Sequence, residues 1–294
     1  MQAHAAVKSA VAARSAPIEA VVRWIQDVST LPQVALKVME VARDPDSGAA
    51  DLKTVVEGDP ALAARVLRMV NSAAYGVRSA VTNLHQAISY LGFNQIRNLA
   101  LTASVAEIFK KGDGFGTYQR TGLWRHLVSV GICARLVSVR SGMPEFEDAF
   151  LAGLLHDIGI IFEDQHAHRH FRQVIAELSD DSTLVAVETK HLGFDHCLLG
   201  GRIAEEWRFP NVVQAAIRFH HAPNGYADEG ADIVHCVEIA NAICTLKGIS
   251  SVGRQLIAPP LAALRAMGLQ KEDVVVLAAD LDQELVASES LFEL

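Results

Sequence analysis

Leu154-Leu155-His156-Asp157-Ile158-Gly159 sets an imidazole beside a carboxylate at the end of an apolar helical run. Neighbouring residues of a regular α-helix diverge by ~100°, so His156 and Asp157 can face one point only where the helix ends. Gly159 releases the chain there. Four more histidines lie outward from this pair at helix starts or ends. His126 is one turn into a helix whose buried face continues through Val130 and Ala134. His196 follows Gly193-Phe194-Asp195, with the small residues Gly200 and Gly201 a turn later. His220-His221 closes a helix before Pro223. Neutral imidazoles and carboxylates from several helices are the donors a borderline transition metal takes. The candidate metal ligands are therefore His126, His156, Asp157, His196, His220 and His221, gathered inside a bundle. Any one of these histidines taken alone fits a hydrogen-bonded core role better than a ligand role.

Apolar spacing around these residues is helical throughout, and breakers fall at helix ends. Pro17 opens an amphipathic stretch to Val28, and Pro32 opens a second one through Val34, Val38 and Val41. Asp59-Pro60 reads as an N-cap followed by proline at the first helical position. Asn83 to Leu91 and Phe93 to Lys110 form a helix pair separated by Gly92, and Lys111-Gly112-Asp113-Gly114-Phe115-Gly116 is the clearest internal linker. Long helices follow to Leu246, with two more stretches around Leu261–Met267 and Val274–Leu285. No strand alternation or short repeat is visible. The pattern predicts an all-α chain: a tail over 1–16, a helical lobe over 17–116, a second over 117–248 and a helical extension over 249–294. That extension either packs back on the lobes or forms a homodimer contact.

Of the 294 residues, half are hydrophobic and 20% charged, which excludes disorder as the main state. The four cysteines form no C-x-x-C pair and read as reduced thiols of a cytoplasmic protein. No apolar run reaches the ~20 residues of a membrane helix. A net charge of −8 argues against a general nucleic-acid binder, but the charge is uneven. Residues 1–120 carry 13 Lys/Arg and 10 Asp/Glu, and residues 121–294 carry 13 and 24. Arg65 and Arg68 share a helical face and, with Arg97, are candidates to meet an acidic partner or anionic nucleotide. His166 and His170 also share a face, which reads as a solvated helix start.

In order and spacing, His126, His156-Asp157, His196 and His220-His221 resemble the HD superfamily of metal-dependent phosphohydrolases. The stretch from about Leu31 to Leu246 more closely resembles the HDOD domain, the HD-related output domain of bacterial signalling. The marks are Leu31-Pro32, Asp59-Pro60-Ala61-Leu62, Val70-Asn71-Ser72-Ala73, Ala87-Ile88 with Leu91-Gly92 and Arg97-Asn98-Leu99, the His156-Asp157 motif, and Trp207-Arg208-Phe209-Pro210. The resemblance implies a divalent transition metal (Fe, Mn, Zn or Ni) on the histidine set.

It also shows departures from active members. Ile160 stands where HD-GYP enzymes place a lysine that would meet substrate phosphate, and Asn241 stands where they place a late metal-binding aspartate. An amide gives a cation an oxygen dipole without a compensating charge. Glu238, a turn earlier, is a further candidate, and no Gly-Tyr-Pro signature follows His221. The expectation is a catalytically inactive signal-transduction protein that binds other signalling proteins or a ligand, a cyclic dinucleotide among the possibilities, over a vestigial metal site. The alternative is a metal-dependent cyclic-nucleotide or cyclic-dinucleotide phosphodiesterase using the same ligands.

Overall fold

The computed structural model describes residues 31–294 apart from 111, 113 and 254. The predicted tail and the Pro17–Val28 stretch lie outside those residues. The described chain is helical without a strand, its one isolated bridge joining Phe115 and Tyr118 in the linker. The first lobe comprises α1 (Gln33–Arg43), α2 (Ala49–Glu57), α3 (Pro60–Val70), α4 (Leu84–Leu91) and α5 (Phe93–Phe109). The second comprises α6 (Arg120–Arg140), α7 (Phe146–Leu155), α8 (Ile158–His166), α9 (His168–Glu177), α10 (Leu184–Leu192), α11 (His196–Glu206), α12 (Asn211–Phe219) and α13 (Ala231–Leu246). The last helices are α14 (Leu261–Ala266) and α15 (Lys271–Ala287). None of these is long and apolar enough to cross a membrane.

Local chemistry accounts for the helix starts. Asp59 accepts hydrogen bonds from the Ala61 and Leu62 amides at 3.0 Å, and Asn83 accepts from Gln86 at 2.9 Å, each satisfying donors that an uncapped helix leaves bare. Around α5, whose sides are nearly all buried, α1 and α3 pack; around α6 pack α7, α13 and α15. A single set of buried apolar side chains runs from Leu31 to Leu291. Polar bonds between α5 and α7 tie the lobes together: Arg97 Nη2 donates to Asp148 Oδ1 at 2.9 Å, and Asn98 Nδ2 to the carbonyl and carboxylate oxygens of Glu147 at 2.8 Å.

The extension folds back. Residues 249–253 and 255–258 run as a strap across the second lobe, with Leu256 N donating to Ser182 O at 2.9 Å and Thr117 Oγ1 to Val252 O at 2.8 Å. Beyond it, α14 packs on α13, α15 on α6, and the closing turn at Glu289–Leu291 on α3.

One expectation is corrected. Gly159 does not end the helical run but sits in the first turn of α8, a helix absent from the sequence reading, whose residues from Ile158 to Asp164 are buried. A glycine is required because a Cβ there would run into the carbonyl oxygen of His196 at the start of α11. The closest helix pair, α6 and α7, depends on a similar contact. A Cβ on Gly153 would lie 2.8 Å from Val130 O and 2.9 Å from Gly131 Cα. Gly153→Ala is expected to cost about 1–3 kcal/mol through overpacking. Gly122→Ala, a half-buried site in α6 where the nearest atom to a Cβ is 3.5 Å away, should gain about 0.5–1 kcal/mol from helix propensity. Urea denaturation of the two variants checks the sign of each.

Candidate metal centre

Between α7 and α8 the backbone leaves helical geometry at Asp157 (φ −100°, ψ 17°), and this break lets His156 and Asp157 point to the same place. His126 reaches that place from α6. His196 comes from the start of α11, where Asp195 caps the helix through the Leu198 amide at 2.8 Å. His220 follows the last turn of α12. The Nε2 atoms of His126 and His156 lie 3.3 Å apart and 3.5 and 3.4 Å from Asp157 Oδ2. Those of His196 and His220 lie 3.4 Å apart, each 3.2 Å from Asp157 Oδ1. One carboxylate thus spans two imidazole pairs, and all five residues are buried.

Each ring is braced from behind. His126 Nδ1 lies 2.8 Å from the Ile249 carbonyl of the strap, and His156 Nδ1 2.7 Å from Gly153 O. His220 Nδ1 is within 3.1 Å of Ala216 O and Ile217 O. A carbonyl accepts only, so these Nδ1 atoms carry protons, and whenever the rings are neutral their Nε2 lone pairs face one another. Lone pairs held this close repel unless a proton or cation lies among them. His196 is braced more strongly, its Nδ1 2.7 Å and its amide 3.1 Å from the buried carboxylate of Glu188. Behind Glu188 lies Glu163, also buried, whose carboxyl is held well above the usual range by burial and by the Glu188 charge.

Charge in the centre is balanced locally. Burial opposes ionisation of Asp157, but His156 and His196 outweigh it and hold the carboxyl well below its ordinary value. Burial and the neighbouring His156 push His126 down to about 4, and burial also lowers His156. Burial works against protonation of His196 and His220 too, yet Cys197, Asp157 and, for His196, Glu188 prevail, raising His220 to about 10. Asp157 Oδ1, for all its near neighbours, makes no hydrogen bond of acceptable geometry. Inward lone pairs, an orphaned carboxylate oxygen and buried negative charge together fit a divalent cation, which would supply the positive charge otherwise gathered as protons.

The ligand atoms form two groups, His126, His156 and Asp157 in one and His196, Cys197, His220 and His221 in the other, with the atoms of each within 4.8 Å of one another. Every histidine of the sequence-predicted set takes part, His221 from an exposed position. Cys197 was missed, although its place directly after His196 was a signal. Glu188 was missed because it lies eight residues earlier on another helix. Asn241 lines the cavity that His220 and His221 also line, and its Oδ1 lies 3.2 Å from the Thr245 hydroxyl. Glu238 lines the same cavity.

The three candidate arginines are not in this centre. Arg97 is buried and committed to Asp148, which removes it as a surface contact; Arg65 pairs with Glu107, and Arg68 with Glu293 at 2.8 Å. His168 pairs with Asp164 at 2.9 Å, and the His166 ring stacks on Phe162.

Comparison with known proteins places these features in context. The family model of the HDOD domain matches residues 28–223. An uncharacterized protein of Treponema pallidum (strain Nichols) is 23% identical over 219 residues, which is 74% of this chain and 42% of the relative. The chain thus spans less than half the length of that curated relative. Among solved structures, an HDOD domain protein of unknown function from Geobacter sulfurreducens is 25% identical with a TM-score of 0.77, covering 95% of this chain and 98% of that one. A proposed signal transduction protein from Marinobacter aquaeolei VT8 shares the fold at 24% identity and TM-score 0.75, over 95% of this chain and 64% of that one. A proposed phosphohydrolase from Shewanella amazonensis SB2B does so at 22% and 0.73, over 93% and 97%.

The bracing carboxylates separate in a metal-retention experiment. Glu188→Gln removes the charge behind His196 and is expected to weaken metal binding roughly 10–100-fold against a competing chelator. Glu163→Gln replaces a carboxyl that burial and Glu188 push toward its neutral form, one step removed from the rings, and should change it little.

Proposed function

The chain belongs to the HDOD domain family, and from that premise we propose that it is a regulatory member that acts in signal transduction by binding a signalling protein or a ligand, without hydrolysis. In this reading His126, His156, Asp157, His196 and His220, with Cys197 and His221 beside them, hold a divalent transition metal of the Fe, Mn, Zn or Ni class. The metal's charge would serve to hold α6, α7, α11 and α12 around one buried point. When bound, such an ion also supplies Lewis acidity, but hydrolysis of a phosphodiester needs in addition an approach for substrate and positive charge for the phosphoryl oxygens.

The observation that carries the reading is the charge of the approach. A cavity of about 480 Å³ reaches His220 and His221 between α11, α13 and the strap. Its acidic lining groups are Asp195 and Glu238, and its guanidinium, Arg218, is turned to Glu205 at 3.5 Å. Ile160, at the position of the phosphate-facing lysine in active relatives, is fully buried in the core. Among the described residues, neither the cavity lining nor position 160 offers an uncommitted cation to a phosphate. The strap residues Gln255–Ala258 form one wall of the cavity, so a ligand or partner there would bear on the extension and through it on both lobes.

The retained imidazoles favour one competing reading, a metal-dependent phosphohydrolase. The two separate in an assay of the Mn²⁺- and Fe²⁺-loaded chain on a cyclic dinucleotide and on bis(p-nitrophenyl) phosphate. The regulatory reading predicts turnover no higher than that of His156→Ala. Turnover abolished by that substitution would overturn it.

A further inference from the structure

A second cavity, of about 190 Å³, shares only α6 with the elements that build the metal centre and none of its ligand residues. It opens where three parts of the chain meet: α3 and α5 of the first lobe, α6 of the second, and the residues after α15. Arg65, Arg68 and Lys110 bring positive charge to it, and Trp124 and Ser290 bring hydrogen-bond donors. Against these three cations stand two carboxylates. Glu107 serves both Arg65 and Lys110, and Glu293 serves Arg68. The lining is thus mixed in charge and rich in cationic donors.

Three buried donors around this cavity lack an acceptor: Arg65 Nε, the Trp124 indole Nε1 and Ser290 Oγ. Trp124 is the telling case, because the residue is only 1% exposed and its ring is packed against Phe109 with centroids 5.2 Å apart. A buried N–H left unpaired costs about 1–3 kcal/mol, and tryptophan N–H groups in cores find a partner. Donors on three elements, converging with a guanidinium, suit an acceptor with several oxygens in different directions.

We propose that this junction is a binding site for a compact phosphate-class anion, held by Arg65, Arg68, Lys110, the Trp124 indole N–H and the Ser290 hydroxyl. The size limits the ligand. The cavity is smaller than the roughly 300–1,000 Å³ that drug-sized ligands occupy, so it takes phosphate, pyrophosphate or a small phosphorylated group and not a dinucleotide. Glu293 is the intrachain competitor, since it already occupies Arg68. An anion bound here touches both lobes and the end of the extension, and so stabilises one arrangement of the three. The site shares no ligand residue with the metal centre, and its failure would leave the reading of that centre intact.

Isothermal titration of the full chain with inorganic pyrophosphate, with sodium chloride at matched ionic strength as the blank, tests the proposal. Saturable binding is expected, weakened roughly tenfold or more in Arg68→Ala and in Trp124→Phe, each of which removes one donor. Glu293→Gln should tighten it by freeing Arg68. Arg68 is largely exposed, so its variant is expected to fold even if Trp124→Phe does not. Absence of saturable heat with the unaltered chain, or pyrophosphate binding unchanged in Arg68→Ala, would overturn the assignment.

Discussion

Asp157 is 2% exposed, and an ionised carboxylate so buried costs several kcal/mol unless positive charge stands beside it. The architecture of the second lobe answers that requirement. Four imidazoles from four places in the chain turn their Nε2 atoms to the two oxygens of one side chain, and a backbone or carboxylate acceptor fixes each ring from behind. The helix break at 156–157, the glycine that lets α8 touch the start of α11 and the strap carbonyl at Ile249 all serve this one convergence. Removing any of them would leave the carboxylate short of a partner.

The same burial separates holding a metal from using one. Buried ligands with braced rings, open on the His220 and His221 side to one cavity, make a stiff site, which suits an ion that joins helices. Substrate chemistry would need the developing phosphoryl charge to meet cations, and the approach to this centre presents Asp195 and Glu238 instead. The extension contacts α3, α6 and α13, and so touches helices of both lobes.

Much of this was legible in the sequence where the chemistry is local. Asp59-Pro60 and Asn83 announce their helix starts because capping acts within three residues. The histidine set was legible because its members sit at helix ends, where the chain can turn inward. What escaped was non-local. Glu188 reads as one more helical glutamate until α10 and α11 fold together and place it on His196. Gly159 looked like a terminator, whereas its real constraint is the backbone of a segment 37 residues later, which no spacing reveals. Arg97 looked like surface charge because nothing near it in sequence hints at Asp148. The fate of the extension was likewise undecidable from its apolar spacing, which suits a partner copy and the chain's own lobes equally well.

The central claim is that the buried histidine and aspartate cluster binds a divalent metal that holds the second lobe together. Calorimetric unfolding of the chain before and after chelation, with the metal in each sample quantified, tests it most directly. The account predicts bound metal in the untreated chain and, on stripping, a midpoint lower by about 5–10 °C, restored on re-addition. A chain that carries no metal, and whose midpoint does not respond to added Mn²⁺, Fe²⁺, Zn²⁺ or Ni²⁺, would contradict it.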